Sequence, residues 1–343
     1  MLKIHINTDA LQPMLDWLRL SKEQGLRDED ALRRILQLDP YQIEFARYGS
    51  EGLPVCGISY EEAVDFFLHF DEKSFQNPRL QTKQPVFAAF YDHMEESLET
   101  LRLFSSLSQA DCAVVETLLQ NGLPEALLNE DLEITVLLVI SIGNSFGWPY
   151  ENYIDFDASN LELLADKDSL LHIIAHEIHH MFFEKLIPDE CKPEEYFLLN
   201  FAFEGLAVHF TNNQAAMWKA AKYPGNAYCM DAAGMALYES EFDELFARLR
   251  ADYQASKAMT LEQVAALVGQ HYEQFQYNSL KTGEPIAISQ YPTYYLGCYL
   301  FGLIDQVLGK ERLFTALAHP EILAETYNQA VRQAGHPAYQ LPV

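Results

Sequence analysis

Four histidines, His172, His176, His179 and His180, fall within nine residues in the stretch DKDSLLHIIAHEIHHMFFEKLIP. Five consecutive residues, His176-Glu177-Ile178-His179-His180, spell HExxH. In a helix, positions i and i+4 share a face, so His176 and His180 present two imidazoles side by side, as two ligands of one metal ion must. Glu177 stands one step round the helix, beside such an ion but not on it. That is the place for a general base acting on an attacking water. The spacing therefore points to metal-assisted hydrolysis.

Such a site needs a third ligand. The metzincin continuation asks for Gly three residues and His six residues after His180, where Phe183 and Leu186 stand. An inverted HxxEH is absent, and so is the second ExxH unit that a ferritin-like di-iron centre requires. The remaining source is a carboxylate from the following helix. Lys192-Pro193-Glu194-Glu195 reads as a helix start, with Pro in the first turn and acidic groups at the positive end of the dipole. Between Glu195 and His209 the only charged side chain is Glu204, set among Phe201, Ala202, Phe203, Leu206, Ala207 and Val208. A lone carboxylate there carries a large desolvation cost unless it is paired, and a zinc ion would pair it. At about 1.5 Å per residue, ~12 Å from His180 to the break at Pro188 and ~15 Å back from Glu194 bring Glu204 level with the histidines. Gly205, costly inside a helix, marks a place where two helices or a substrate must come close.

HEIHH followed by FEGLA resembles the gluzincins, the HExxH metallopeptidases whose third ligand is a Glu on the next helix, and in particular bacterial zinc-dependent peptidases in which HExHH precedes an EGxA helix. The resemblance covers roughly residues 132 to 210, with a weaker echo later. It implies a Zn2+ site of His176, His180 and Glu204, with Glu177 as base and then acid. Many thermolysin-like members place an Asp four residues after the Glu ligand to orient a histidine. Val208 stands there in this chain, which leaves Asn200, one turn before Glu204, as a candidate for that role. The resemblance also implies an oxyanion donor beyond the third ligand, either Tyr294 or Tyr295 in Tyr291-Pro292-Thr293-Tyr294-Tyr295-Leu296-Gly297, with His209 as runner-up. By the same resemblance, Glu151 to Asp157 would be an edge strand to which a peptide adds.

The elements that must position these residues are legible from periodicity. Leu2 to Asn7 alternates as a strand, Ile134 to Ile142 is a β-branched run suited to a buried strand, and Asn152 to Asp157 alternates again. Gly143 to Pro149 reads as a loop. Apolar residues at helical spacing cover Leu11 to Leu20, Asp30 to Leu38, Tyr60 to Phe70 and Val86 to Leu107. From Asp166, which with Asp168 is a candidate cap, the pattern is helical almost to the end, interrupted at Pro188, Pro193, Pro224-Gly225 and Thr282-Gly283-Glu284-Pro285. The expected fold is α+β and predominantly α-helical. A zincin-like small sheet is followed by the active-site helix, the Glu-ligand helix and a helical C-terminal lobe. The expected division is an N-terminal helical lobe with the sheet over 1–165 and a zinc-site lobe over 166–343, or one continuous catalytic domain.

Composition narrows the partners. With 23 Lys+Arg against 50 Asp+Glu in 343 residues, the net charge is −27. Such an excess repels phosphate backbones and anionic membrane surfaces, so neither nucleic acid nor membrane is an expected partner, and a peptide or protein substrate is. The five cysteines are widely spaced and never form CxxC, which suits reduced thiols. The N-terminal residues lack an apolar signal core and the longest apolar runs fall short of the ~20 residues a spanning helix needs, so the expected location is cytoplasmic. The reading that follows is zinc-dependent peptide hydrolysis with Glu177 activating the attacking water. The alternatives are a metal-dependent hydrolase of a non-peptide bond and a non-catalytic helical protein that holds a metal. Oligomeric state is left open.

Overall fold

The alternation at the N-terminus forms strand β1 (Lys3–Asn7), and the β-branched run forms β2 (Glu133–Val139), buried along most of its length. Two further strands, β3 (Gly147–Tyr150) and β4 (Tyr153–Asp157), complete a four-stranded sheet in the order β1-β2-β4-β3. β1, β2 and β4 are parallel and β3 is antiparallel to β4. The computed structural model describes residues 2–49, 57–128, 132–143, 147–160, 167–212, 232–274, 276–287 and 290–343.

The helices are α1 (Leu11–Gln24), α2 (Glu29–Ile35), α3 (Asp39–Gly49), α4 (Tyr60–His69), α5 (Pro78–Asp92), α6 (Ser97–Ser105), α7 (Gln109–Gly122), α8 (Glu125–Leu128), α9 (Lys167–Leu186), α10 (Pro193–Ala207), α11 (Ala232–Ser240), α12 (Phe242–Ser256), α13 (Leu261–Tyr272), α14 (Pro292–Leu308), α15 (Lys310–Ala318) and α16 (Leu323–Gln333). The architecture is thus α+β and predominantly helical. Among the described residues no helix is long and apolar enough to cross a membrane.

The chain forms two compact units, residues 1–115 with 131–177 and residues 116–130 with 178–343; α7 and α9 each run through the division. In the first unit a polar knot lies where β2 and β4 end. Asp157 pairs with Lys83 and accepts bonds from the Ser141 and Ser159 amides, each at 3.0 Å. Glu44 accepts from the Ser141 hydroxyl and from the Ile142 amide at 3.2 Å, and Tyr41 donates to the Ile140 carbonyl at 3.1 Å. Asp155, on the same face of β4 as Asp157, is fully buried and has no hydrogen-bond partner among the described residues on either carboxylate oxygen. Burial, followed by the charges of Glu44 and Asp157, holds its carboxyl protonated well above the usual range.

In the second unit the core gathers on α10. Phe197, Phe201, Ala202 and Leu206 pack with Leu296, Leu300, Phe301 and Ile304 of α14, each fully buried Leu or Phe worth about 1.5–3 kcal/mol.

Several expectations need correction. Glu151 to Asp157 was expected at an edge, but β4 has β2 on one side and β3 on the other. The stretch expected as loop supplies that outer strand at Gly147–Tyr150, closed onto β4 through a turn with Glu151 at φ 51°. The single helix expected over Val86 to Leu107 is interrupted at His93 (φ −111°), with a short 3-10 turn, Met94–Glu96, before α6. The region expected to be helical after 166 also holds a two-stranded hairpin, β5 (Gln276–Asn278) with β6 (Pro285–Ala287), turned at Gly283, whose φ of 75° suits glycine.

Candidate metal centre

α9 carries the HExxH run in the middle of its length, and α10 starts where the acidic first turn indicated: Pro193 is in the first turn and the Lys192 amide donates to Glu195 Oε2 at 2.8 Å. Asp168 lies in the first turn of α9, and Asp166 lies outside the described residues. His172, His176, Glu177, His179 and His180 are all buried. A solvated helix face does not bury five such groups, since each one withdrawn from water must be compensated.

One ligand atom from each of His176, His180 and Glu204 lies within 4.8 Å of the other two, and His180 Nε2 stands 3.3 Å from Glu204 Oε2. An ion bound tetrahedrally at ~2.1 Å from each donor would space its ligands about 3.4 Å apart, so this donor set fits zinc. Two imidazoles and a carboxylate also leave a coordination position open, the pattern of catalytic rather than structural zinc. Among the described residues no other His, Cys, Asp or Glu triad converges as closely. Phe203, the residue before Glu204, stacks on the His180 ring at 4.0 Å between centroids and 10° between planes. Its other edge meets Phe183 at 5.3 Å. The ring of one ligand is therefore seated by the neighbour of another.

The remaining candidates are placed as follows. Asn200 Nδ2 donates to the Tyr196 carbonyl of its own helix at 2.7 Å. His209 Nε2 is 2.8 Å from Asp305 Oδ2 on α14. Tyr295 lies in an aromatic seam, 5.5 Å from the Tyr238 ring and 6.1 Å from Phe242. Burial, then the charge of Glu239, pushes its hydroxyl up to about 12. Tyr294 is half-buried against the core of the second unit, with its ring 6.2 Å from that of Tyr291.

The surroundings of Tyr291 include the proposed ligand Glu204. Burial first, then the negative charges of Glu273 and Glu204, raise its hydroxyl above the ordinary tyrosine range. It is the N-cap residue of α14, with Pro292 following in the first turn.

In a helical fold with a small sheet, an HExxH helix and a Glu-bearing helix bring together two imidazoles and a carboxylate that could hold a metal ion. The chain belongs to the family described as putative zinc dependent peptidase (DUF5700), whose family model matches residues 32–335. No curated protein and no solved structure matches the chain.

Proposed function

We propose that the protein hydrolyses peptide bonds at a zinc ion held by His176, His180 and Glu204. The observation that carries this reading is the convergence of those three ligand atoms, with Glu177 on the adjoining position of the same helix. Zinc bound there supplies Lewis acidity toward a carbonyl oxygen and makes a water easier to deprotonate. Glu177 takes the proton from the attacking water and passes it to the departing amine, so one carboxylate serves as base and then as acid. A tyrosine hydroxyl donating a hydrogen bond stabilises the oxyanion that develops on the scissile carbonyl. Tyr291, set beside the charge of Glu204, joins Tyr294 as a candidate for that part and is favoured over Tyr295, which lies in the seam of Tyr238 and Phe242.

A quenched-fluorescent peptide library run beside ester and non-peptide amide panels tests the proposal, with Glu177→Gln as the control. Peptide cleavage abolished in the variant supports it. Turnover confined to the non-peptide panels would make the protein a hydrolase of another bond, and zinc without turnover on any panel would make it a metal-holding binding protein.

A further inference from the structure

HEIHH contains a third histidine that the metal set does not use. On a helical wheel His179 lies about 60° from His176 and about 100° from His180, on the opposite side from Glu177. It is completely buried, and its Nε2 is 3.1 Å from the Gly122 carbonyl near the end of α7. A carbonyl only accepts, so Nε2 carries the proton and donates. The same ring stacks on Phe210, 6.2 Å between centroids and 24° between planes.

Phe210 belongs to a π-helical turn, Val208–Asn212, that continues α10 beyond Glu204. Single π turns inside helices are frequently found at functional sites. Consecutive residues of this one serve different partners, Phe210 meeting His179 while His209 bonds Asp305 of α14. The clamp is tight on both sides. A methyl group on Gly122 would lie 2.7 Å from Phe210 Cβ, and one on Gly302 would lie 2.8 Å from His209 Nδ1.

This arrangement answers a mechanical need. Donor atoms about 6 Å from a helix axis move by ~2 Å, the length of a metal–ligand bond, when the helix rolls by roughly 20°. Glu204 sits on a different helix from the two imidazoles, so the roll of α9 must be fixed relative to α10. The His180–Phe203 stack fixes it from the ligand side.

We infer that His179 is the positioning residue that fixes the roll from the other side, through its hydrogen bond to the Gly122 carbonyl and its seat on Phe210. The inference rests on the reading of His176, His180 and Glu204 as zinc ligands.

The test uses the full-length protein with His179→Phe, which keeps an aromatic ring but cannot donate, and His179→Gln, whose amide restores a donor near Nε2. Zinc affinity is measured by chelator competition, and the site geometry by the visible spectrum of the cobalt-substituted protein. His179→Phe is expected to lose about 10- to 100-fold in zinc affinity and to change the cobalt spectrum, as outer partners of metal ligands do. His179→Gln is expected to recover both. If His179→Phe does not fold, Phe210→Leu carries the same expectation. A wild-type chain that takes up no zinc overturns the ligand reading and this inference with it. A wild-type chain that binds zinc while His179→Phe binds it equally well, with an unchanged spectrum, overturns the inference alone. A folded His179→Gln as weak as His179→Phe also overturns it.

Discussion

Gly205 and Gly297 meet backbone to backbone where α10 crosses α14. A methyl group on Gly297 would lie 2.7 Å from Gly205 Cα and would also collide with the Phe201 carbonyl, and one on Gly205 would lie 2.8 Å from the Cys298 amide. A glycine costs a helix about 1 kcal/mol relative to alanine, so two facing each other mean that the close crossing is worth more than the loss. Its consequence is local, because Glu204 is the residue next to Gly205.

Gly205→Ala and Gly297→Ala are each expected to lower stability by on the order of 1–3 kcal/mol through overpacking, against the gain that alanine brings in an open helix. Zinc affinity should fall with stability, since any widening of the crossing displaces Glu204. Chemical denaturation combined with metal competition checks both. Unchanged stability in both variants would show that the crossing relaxes freely.

Among the tyrosines, Tyr291→Phe is expected to lower kcat by roughly 10²–10³-fold with little change in KM, as loss of an oxyanion donor does. Tyr295→Phe, within the seam of Tyr238 and Phe242, should leave kcat within a few-fold of wild type. Steady-state kinetics on one cleaved peptide separates them. The opposite ranking would return the donor role to the helix beyond Pro292.

The buried knot of the first unit gives stability an unusual dependence on pH. Burial, offset by bonds from Ser141 and Ile142 and reinforced by Asp157, pushes the Glu44 carboxyl up to about 7, and Asp155 is raised as well. Both therefore hold protons in the folded chain that the unfolded chain has released. The Glu44 contribution is present below the ordinary carboxylate range near 4 and is lost as pH rises through about 7, and that of Asp155 has the same sign. Asp155 has no hydrogen bond to lose among the described residues, so Asp155→Asn should match wild type below about pH 4 and increasingly exceed it in melting temperature as pH rises toward 8. Thermal melts across that range check the sign. A variant less stable than wild type at pH 8 would mean that the ionised carboxylate is stabilising.

Legibility followed the distance over which each signal acts. The HExxH pair, the start of α10 at Pro193 and the isolation of Glu204 are written in spacings of one to four residues, and the structure brings those ligand atoms together. Gly205 could be read as a close approach, but not which residue it approached, because Gly297 is 92 positions further along. β3 escaped notice since four residues containing Gly and Pro read as loop until β4 pairs with them. The partner of His179 lies 57 residues away and is a backbone carbonyl, which no side-chain pattern announces.

In the proposed site His176, His180 and Glu204 hold zinc while Glu177 acts on the water. Metal analysis of the purified chain beside Glu204→Ala and Glu177→Gln, together with peptide hydrolysis by each, tests it most directly. One zinc per wild-type chain is expected, with zinc lost from Glu204→Ala and retained in Glu177→Gln, where hydrolysis falls by at least ~10²-fold. Full zinc occupancy in Glu204→Ala, or undiminished hydrolysis in Glu177→Gln, would contradict it.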